Sequence, residues 1–132
     1  MNPLQEQAQT TFTEAMGYIK TLEKSMIKQS RFNNDLLYSM AAMSFEKLFV
    51  SFLANHGINA MHHTPMALFK EANSVNQLPD TMKETAKLLS KFESICSFDG
   101  FGYKTPQTDE LHRIINGLVE IRDYVGECLT QE

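Results

Sequence analysis

The chain is poor in the residues that build disulfide scaffolds and β-sheets. Only two cysteines occur in 132 residues, Cys96 and Cys128. Their wide separation fits neither a CxxC zinc or redox site nor a disulfide framework. Valine is scarce, and no run of alternating β-branched residues appears. We therefore expect an all-α protein whose two thiols belong to the core or to the surface.

The chain also lacks an excess of positive charge and a long uncharged apolar segment. Sixteen Asp and Glu against twelve Lys and Arg give a net charge of −4, which excludes a generally basic surface but leaves nucleic acid open as a ligand. The most apolar stretch, from Leu36 to Leu53, has Glu46 and Lys47 near its middle, where each charge would cost roughly 3 kcal/mol in a membrane. The N-terminal segment has neither the basic region nor the apolar core of a secretory signal. We expect a cytoplasmic protein without a transmembrane helix.

Apolar spacing predicts helices from the first residues onward. Asn2 is the expected N-cap of the first helix, with Pro3 at the first helical position. Apolar residues then recur every three or four positions as far as Met26. A second helix, capped by Asn33 or Asn34, has apolar residues on more than one face. It should be the most buried helix.

The second half of the chain predicts one short helix and two long ones. Thr64 precedes a proline and marks the start of the short helix, and Asp80 is the expected cap of the next long one. The glycine- and aromatic-rich segment 97–107 is a loop before the last helix. Gly117 inside that helix indicates a close approach of another helix. Short connections favour an all-α, up-and-down four-helix bundle with one short additional helix, forming a single domain over residues 1–132.

Histidines are the first candidates for chemistry. His56, His62 and His63 lie within eight residues, and His112 is distant. Three imidazoles and a water form the usual open zinc site, but the spacing here matches no HExxH or Glu-x-x-His pattern. Motifs for a nucleophile or a phosphate-binding loop are also missing. We expect no metal and no cofactor, with the loop histidines bonded to the backbone or capping the short helix.

The loop before the last helix carries three aromatic residues. Phe98, Phe101 and Tyr103 lie next to Lys104, and such rings can stack on a nucleobase. Rings in a loop of this kind more often fold back and close the open end of a bundle. Both interpretations remain open, and Phe101 and Tyr103 are candidate ligand-binding residues.

One segment resembles a known family. Residues 33–72, NNDLLYSMAAMSFEKLFVSFLANHGINAMHHTPMALFKEA, combine a long helix with an EKL-type centre, a glycine turn, and His-Thr followed by an inward leucine. This arrangement resembles the HEPN domain (higher eukaryotes and prokaryotes nucleotide-binding), as does the loop with Tyr103 before a final amphipathic helix. The resemblance covers about residues 5 to 130. It implies a prokaryotic four-helix bundle that dimerises through helix faces and serves in toxin–antitoxin or nucleotidyltransferase systems, defence or RNA cleavage.

The resemblance also indicates where catalysis would reside. Catalytic members carry Arg, a polar residue, three to five further residues and then His. Arg122 and Asp123 match the first two positions, whereas Glu127, Cys128 and Leu129 stand where the His would be. Without that imidazole, no evident group can exchange the proton of an RNA 2′-hydroxyl. We therefore expect no ribonuclease activity of the family type, and an Arg122 that pairs with a carboxylate or binds an anion.

Three hypotheses for the function follow. The first is a non-catalytic, dimeric HEPN-like bundle that binds a protein partner such as a nucleotidyltransferase, or a nucleotide or RNA. The second is an enzyme, either a divergent ribonuclease or a metal-dependent hydrolase, which would use His62, His63 or His112. The third is a purely structural dimeric interaction module. The candidate ligand-binding residues are Phe101, Tyr103, Arg122, Asp123, His62 and His63.

Overall fold

The computed structural model describes residues 2–28, 32–93 and 105–130, and all regular secondary structure within these ranges is helical. There are five helices: α1 (Pro3–Ile27), α2 (Asn34–Asn55), α3 (Pro65–Val75), α4 (Asp80–Glu93) and α5 (Thr108–Thr130). Four longer helices and one short helix confirm the predicted all-α bundle.

Local sequence signals determine the helix starts. At α1 the Asn2 side chain accepts the amide of Gln5 at 2.8 Å, and the Gln5 side chain accepts the amide of Asn2 at 3.1 Å, which is a complete capping box. Asn33, rather than its neighbour, caps α2. Asp80 is the first residue of α4 and not its cap, because the Pro79 carbonyl already accepts the first hydrogen bond of that turn.

The helices α1, α2, α4 and α5 alternate in direction. Ser51, near the end of α2, donates to the carbonyl of Ala8 near the start of α1, at 2.7 Å. The hydroxyl of Tyr38, near the start of α2, donates to the carbonyl of Leu89 near the end of α4, at 2.7 Å. Each of these pairs is therefore antiparallel, as an up-and-down bundle requires.

The centre of the bundle is the pair α2 and α5, which run parallel. The Asn34 side chain donates to the Pro106 carbonyl at 3.0 Å where both helices begin, and the Asn55 side chain donates to the Cys128 carbonyl at 3.3 Å where both end. On one side α1 packs across both helices, and on the other α3 packs against α2 and α4. Among the described helices, α2 thus packs against α1, α3 and α5.

The most buried of the described helices is α2, as predicted. Half of its 22 residues are buried. Among them Phe45 and Phe49 pack with ring centroids 4.5 Å apart, and Phe52 is 1% exposed. The predicted inward stripe of α5 is also buried, except for Leu129, which is only partly covered.

At Gly117, α5 packs closely against α4. A Cβ atom at this position would lie 2.1 Å from Oγ1 of Thr85, far inside van der Waals contact. The close approach predicted at Gly117 is therefore confirmed.

By length and composition, α2 is also the described helix that could cross a bilayer, with a mean hydropathy of 1.3 over its most apolar window. Of that window, 56% is buried against the rest of the protein. This burial is typical of the core helix of a bundle, and the expected cytoplasmic location stays a prediction.

Candidate functional site

The connection between α2 and α3 carries two adjacent histidines that bond to different helices. Nδ1 of His62 lies 3.0 Å from Oε1 of Glu71 on α3. Nδ1 of His63 lies 2.9 Å from Oε2 of Glu46 on α2. The two imidazoles therefore point to separate carboxylates and have no partner in common.

Glu71 is the polar anchor of this connection. Its side chain is 14% exposed, and it also accepts the backbone amide of Met61 at 3.1 Å. Burial alone would raise the pKa of the Glu71 carboxyl, but the hydrogen bonds from His62 and from the Met61 amide outweigh burial and lower that pKa. Glu71 is therefore ionised at neutral pH and holds the connection against α3.

His63 and Glu46 border a groove of about 410 Å³ between α1 and α2. The imidazole of His63 stands at its rim with 77% of the side chain exposed. Inside the groove, Nζ of Lys47 lies 2.9 Å from the carboxylate of Glu14. The other lining residues are Gln7, Thr11, Met43, Val50, Asn59 and Ala60. The charges of this groove are thus arranged in pairs.

Arg122 lies in a second groove, between α1 and α5. Its Nη1 is 3.1 Å from the Glu23 carboxylate, and its Nε is 3.1 Å from the Asp123 carboxylate. With 25% of its side chain exposed, Arg122 is bonded to two acids at the edge of the core. An anionic ligand would have to compete with both of them.

The structure does not bring the candidate residues into one site. The helix α1 lies between the groove of His63 and the groove of Arg122. His112 belongs to a third place, beside Ser25 and the starts of α2 and α5. Phe98, Phe101 and Tyr103 lie outside the described residues. Within the described ranges, no three His, Cys, Asp or Glu side chains converge as metal ligands would.

The sequence analysis did not predict the carboxylates that bind the histidines, nor the buried carboxylate of α5. The clearest case is Glu110, which is 8% exposed and accepts the amide of Gln107 at 3.0 Å and the ammonium of Lys91 at 2.9 Å. Its spacing carried a signal, because it lies one helical turn before Ile114 and thus on the inward stripe of α5. The acids that bind His62 and His63 had no comparable local signal.

The position where the resemblance would require a catalytic histidine is occupied by residues of a different character. Cys128 is partly buried, and burial, followed by the neighbouring carboxylate of Glu127, raises the pKa of its thiol. A raised pKa keeps the sulfur protonated and unreactive at neutral pH.

Comparisons with protein-family models, with curated proteins and with solved structures gave no match to this chain. Membership of the HEPN family therefore stays a prediction from the sequence.

Proposed function

We propose that this protein is a non-catalytic, HEPN-like interaction module that pairs with a second copy of itself through the outer face of α1 and α2. The observation that carries the proposal is an apolar strip on the outside of α2. It is formed by Leu36, Met40, Met43 and Val50, and is called the outer strip below.

The outer strip leaves α2 incompletely covered. Leu36 is 45% exposed and Met43 42% exposed, while the opposite side of the helix is buried against α1, α3 and α5. A helix that is apolar around most of its circumference is normally enclosed on all sides. Exposed apolar side chains of this kind are typical of a protein–protein contact.

The charges beside the outer strip favour a second copy as the partner. Lys47 and Glu14 form one ion pair near its middle, and an apolar groove of about 430 Å³ lined by Tyr18, Phe32 and Met40 lies on one side. A two-fold axis near the ion pair would place Lys47 of one copy opposite Glu14 of the other. Such an interface is isologous, because each copy offers the same self-complementary surface.

Two features support a binding role over catalysis. Arg122 is bonded to Glu23 and Asp123, which leaves its guanidinium poorly prepared to bind a reacting phosphate. Cys128, at a position where the resemblance would place the catalytic histidine, has a raised pKa and so is a poor acid or base at neutral pH.

The family assignment and the wider system remain part of the proposal. A bundle of four longer helices with one short helix is the architecture that the HEPN resemblance implies, and Arg122 and Asp123 lie on its last helix. A nucleotidyltransferase as partner follows only from the resemblance. Binding of a nucleotide or RNA depends on Phe101 and Tyr103, outside the described residues.

The molar mass in solution tests the proposal. We expect light scattering after size exclusion to give about twice 15.1 kDa at high micromolar concentration. Met43→Glu should weaken dimerisation about tenfold or more, because it places an unpaired charge in an apolar interface.

Met16→Glu is the matched control. Met16 is 46% exposed but lies in the groove of Arg122, on the other side of α1, so this variant should remain a dimer. A wild-type protein that is monomeric up to millimolar concentration would refute the proposal. So would equal effects of the two substitutions in variants whose circular dichroism shows a native helix content.

A further inference from the structure

The helices α4 and α5 are held in a defined antiparallel register. At one end, Oγ1 of Thr81 donates to the Glu120 carboxylate at 2.6 Å, and at the other, Nζ of Lys91 donates to the Glu110 carboxylate at 2.9 Å. Between these contacts, α4 packs closely against Gly117. The relative position of the two outer surfaces is therefore determined by the packing beneath them.

This register places Arg113 of α5 across from Leu88 of α4. A groove of about 370 Å³ runs between the two helices at this point. Leu88 is half-buried and forms its apolar floor. The remaining lining residues are Glu84, Thr85, Lys87, Lys91 and Arg113.

The groove is cationic on a chain that is acidic. Among the described residues, three cationic side chains and one carboxylate line it, whereas the chain as a whole carries a net charge of −4. By contrast, the groove between α1 and α5 offers the single cation of Arg122 beside Asp123 and Glu127. The α4/α5 groove is thus net positive, whereas the groove between α1 and α5 is net negative.

Two of the cationic side chains in the groove, Arg113 and Lys87, are not held by strong ion pairs within the described residues. Arg113 is exposed, and its side chain makes no ion pair or hydrogen bond within residues 2–28, 32–93 and 105–130. Lys87 is 3.8 Å from Glu84, with both side chains more than half exposed, and such a pair contributes little. Lys91 is different, because its bond to Glu110 and its place 5.3 Å from the centre of the Phe92 ring hold it at the rim.

The arrangement of charge and apolar surface identifies the kind of ligand. Lys87 and Lys91 are one helical turn apart, about 6 Å along the axis, with Leu88 between them and Arg113 opposite. A free phosphate would be held best by cations that converge on one point. A nucleic acid would favour a longer basic track, and this one ends at Glu84, one turn before Lys87. A helix with acidic residues on both sides of an apolar stripe matches the groove in charge and in spacing.

We propose that the α4/α5 groove docks an acidic amphipathic segment of a partner protein. The groove has no residue in common with the outer strip, so a dimer formed through α1 and α2 would leave the groove free on each copy. The proposal does not depend on dimerisation.

A model peptide tests this assignment. The probe is a fluorescein-labelled helical peptide of leucine and glutamate at heptad spacing, compared with the same peptide carrying glutamine in place of every glutamate. We expect the acidic peptide to bind at least about tenfold more tightly by fluorescence anisotropy. In amide spectra of the labelled protein, the shifts should concentrate at residues 84–91 and at Arg113.

Charge reversal provides the matched control. The double variant Lys87→Glu with Arg113→Glu should weaken binding of the acidic peptide about tenfold or more. Lys20→Glu with Lys24→Glu also reverses two charges, on one face of α1 that does not line the groove, and should leave binding unchanged. Both variants should keep the molar mass of the wild type, which separates this proposal from the one on dimerisation.

Several results would overturn the proposal. Equal loss of binding in the two double variants, or shifts spread over lysines on all helices, would show non-specific attraction. Failure of the wild type to bind the acidic peptide would exclude the proposed partner. If a mixed-sequence single-stranded oligonucleotide shifted the same amides and bound more tightly than the peptide, the groove would be a nucleic-acid site instead.

Discussion

The pairs α1/α2 and α4/α5, called the α1/α2 edge and the α4/α5 edge below, are both antiparallel, but their outer surfaces differ in chemistry. At the α1/α2 edge, Met40 and Met43 continue the apolar character of α2 to the surface. At the α4/α5 edge, Lys87 and Arg113 flank a single apolar residue, Leu88. Helix packing therefore constrains the inner faces of both pairs but leaves their outer faces free to specialise.

The contacts between the two helices of each pair, called the α1/α2 seam and the α4/α5 seam below, are also built differently. Between α1 and α2, small residues allow the approach, and Ser51 bonds across to Ala8. Between α4 and α5, the absence of a side chain at Gly117 makes room for Thr85. Hydrogen bonds between helices cross both seams, and the α4/α5 seam depends in addition on steric fit at Gly117.

The largest contrast should come from two glycines. Gly17 on α1 has nothing within 4 Å of where a Cβ would lie, whereas at Gly117 Thr85 would be 2.1 Å away. Gly17→Ala should raise the free energy of unfolding by up to about 1 kcal/mol. Gly117→Ala should lower it by about 1 to 3 kcal/mol through overpacking. Urea denaturation measures both changes.

A second substitution checks the cause of that loss. Combining Gly117→Ala with Thr85→Ala removes the clashing methyl and hydroxyl groups and should restore part of the stability. Equal stabilisation by both glycine substitutions would contradict the steric account of the α4/α5 seam.

The next effect is smaller and probes the α1/α2 seam. Ser51→Ala removes the hydrogen bond to Ala8 and should destabilise the protein by about 1 kcal/mol. Ser44→Ala is the control, because the Ser44 hydroxyl bonds to the Met40 carbonyl within its own helix. A loss at Ser44 as large as that at Ser51, measured by thermal unfolding, would show that the bond between helices has no special weight.

The stability that Glu71 gives to the connection between α2 and α3 should depend on pH. The pKa of Glu71 is lower in the folded protein than its ordinary value, so its stabilisation is complete above the unfolded pKa, about 4.3. That stabilisation is lost as the pH falls through the folded pKa. Glu71→Gln should therefore cost up to about 1 kcal/mol at neutral pH, and the difference from wild type should shrink in acid.

His62→Ala supplies the comparison for this pH dependence. It removes the imidazole that bonds to Glu71 and should show the same loss of difference in acid. A gap between wild type and Glu71→Gln that stays constant from neutral to acidic pH in urea titrations would refute the account.

The smallest expected effects distinguish the ion pairs at the two edges. Lys47–Glu14 and Lys91–Glu110 have equal distances of 2.9 Å, but the Glu14 side chain is 49% exposed and that of Glu110 11%. Double-mutant cycles to alanine should give about 0.3 kcal/mol for the first pair and about 0.5 to 1 kcal/mol for the second. A larger coupling free energy for Lys47–Glu14 than for Lys91–Glu110 would contradict this prediction.

Much of the fold could be predicted because its signals are local. The capping box of Asn2, the cap at Asn33 and the 3.6-residue spacing of α5 each depend on residues within one or two turns. The approach at Gly117 was predictable because a glycine inside a helix is costly unless something occupies the space it leaves. Asp80 was misassigned by one position, which is the usual uncertainty at helix ends.

The candidate site was much less predictable, because its contacts join residues far apart in the chain. Arg122 was correctly located at the edge of the inward stripe, but its partner Glu23 is 99 positions away. His62 and His63 were conspicuous, yet only the folded chain shows that they bond to carboxylates on different helices. The groove of Lys87 and Arg113 also required the register of α4 against α5.

By itself, the sequence determined the helices, their starts and the faces that turn inward, since backbone hydrogen bonding and apolar periodicity act over a few residues. Tertiary structure alone decided which residues outside the core become neighbours. These are the apolar strip of Met40 and Met43, the cationic groove that includes Arg113, and the ion pairs of Arg122. The reason is physical, because packing sets the distance and register between helices, and these determine which distant charges and apolar groups become neighbours.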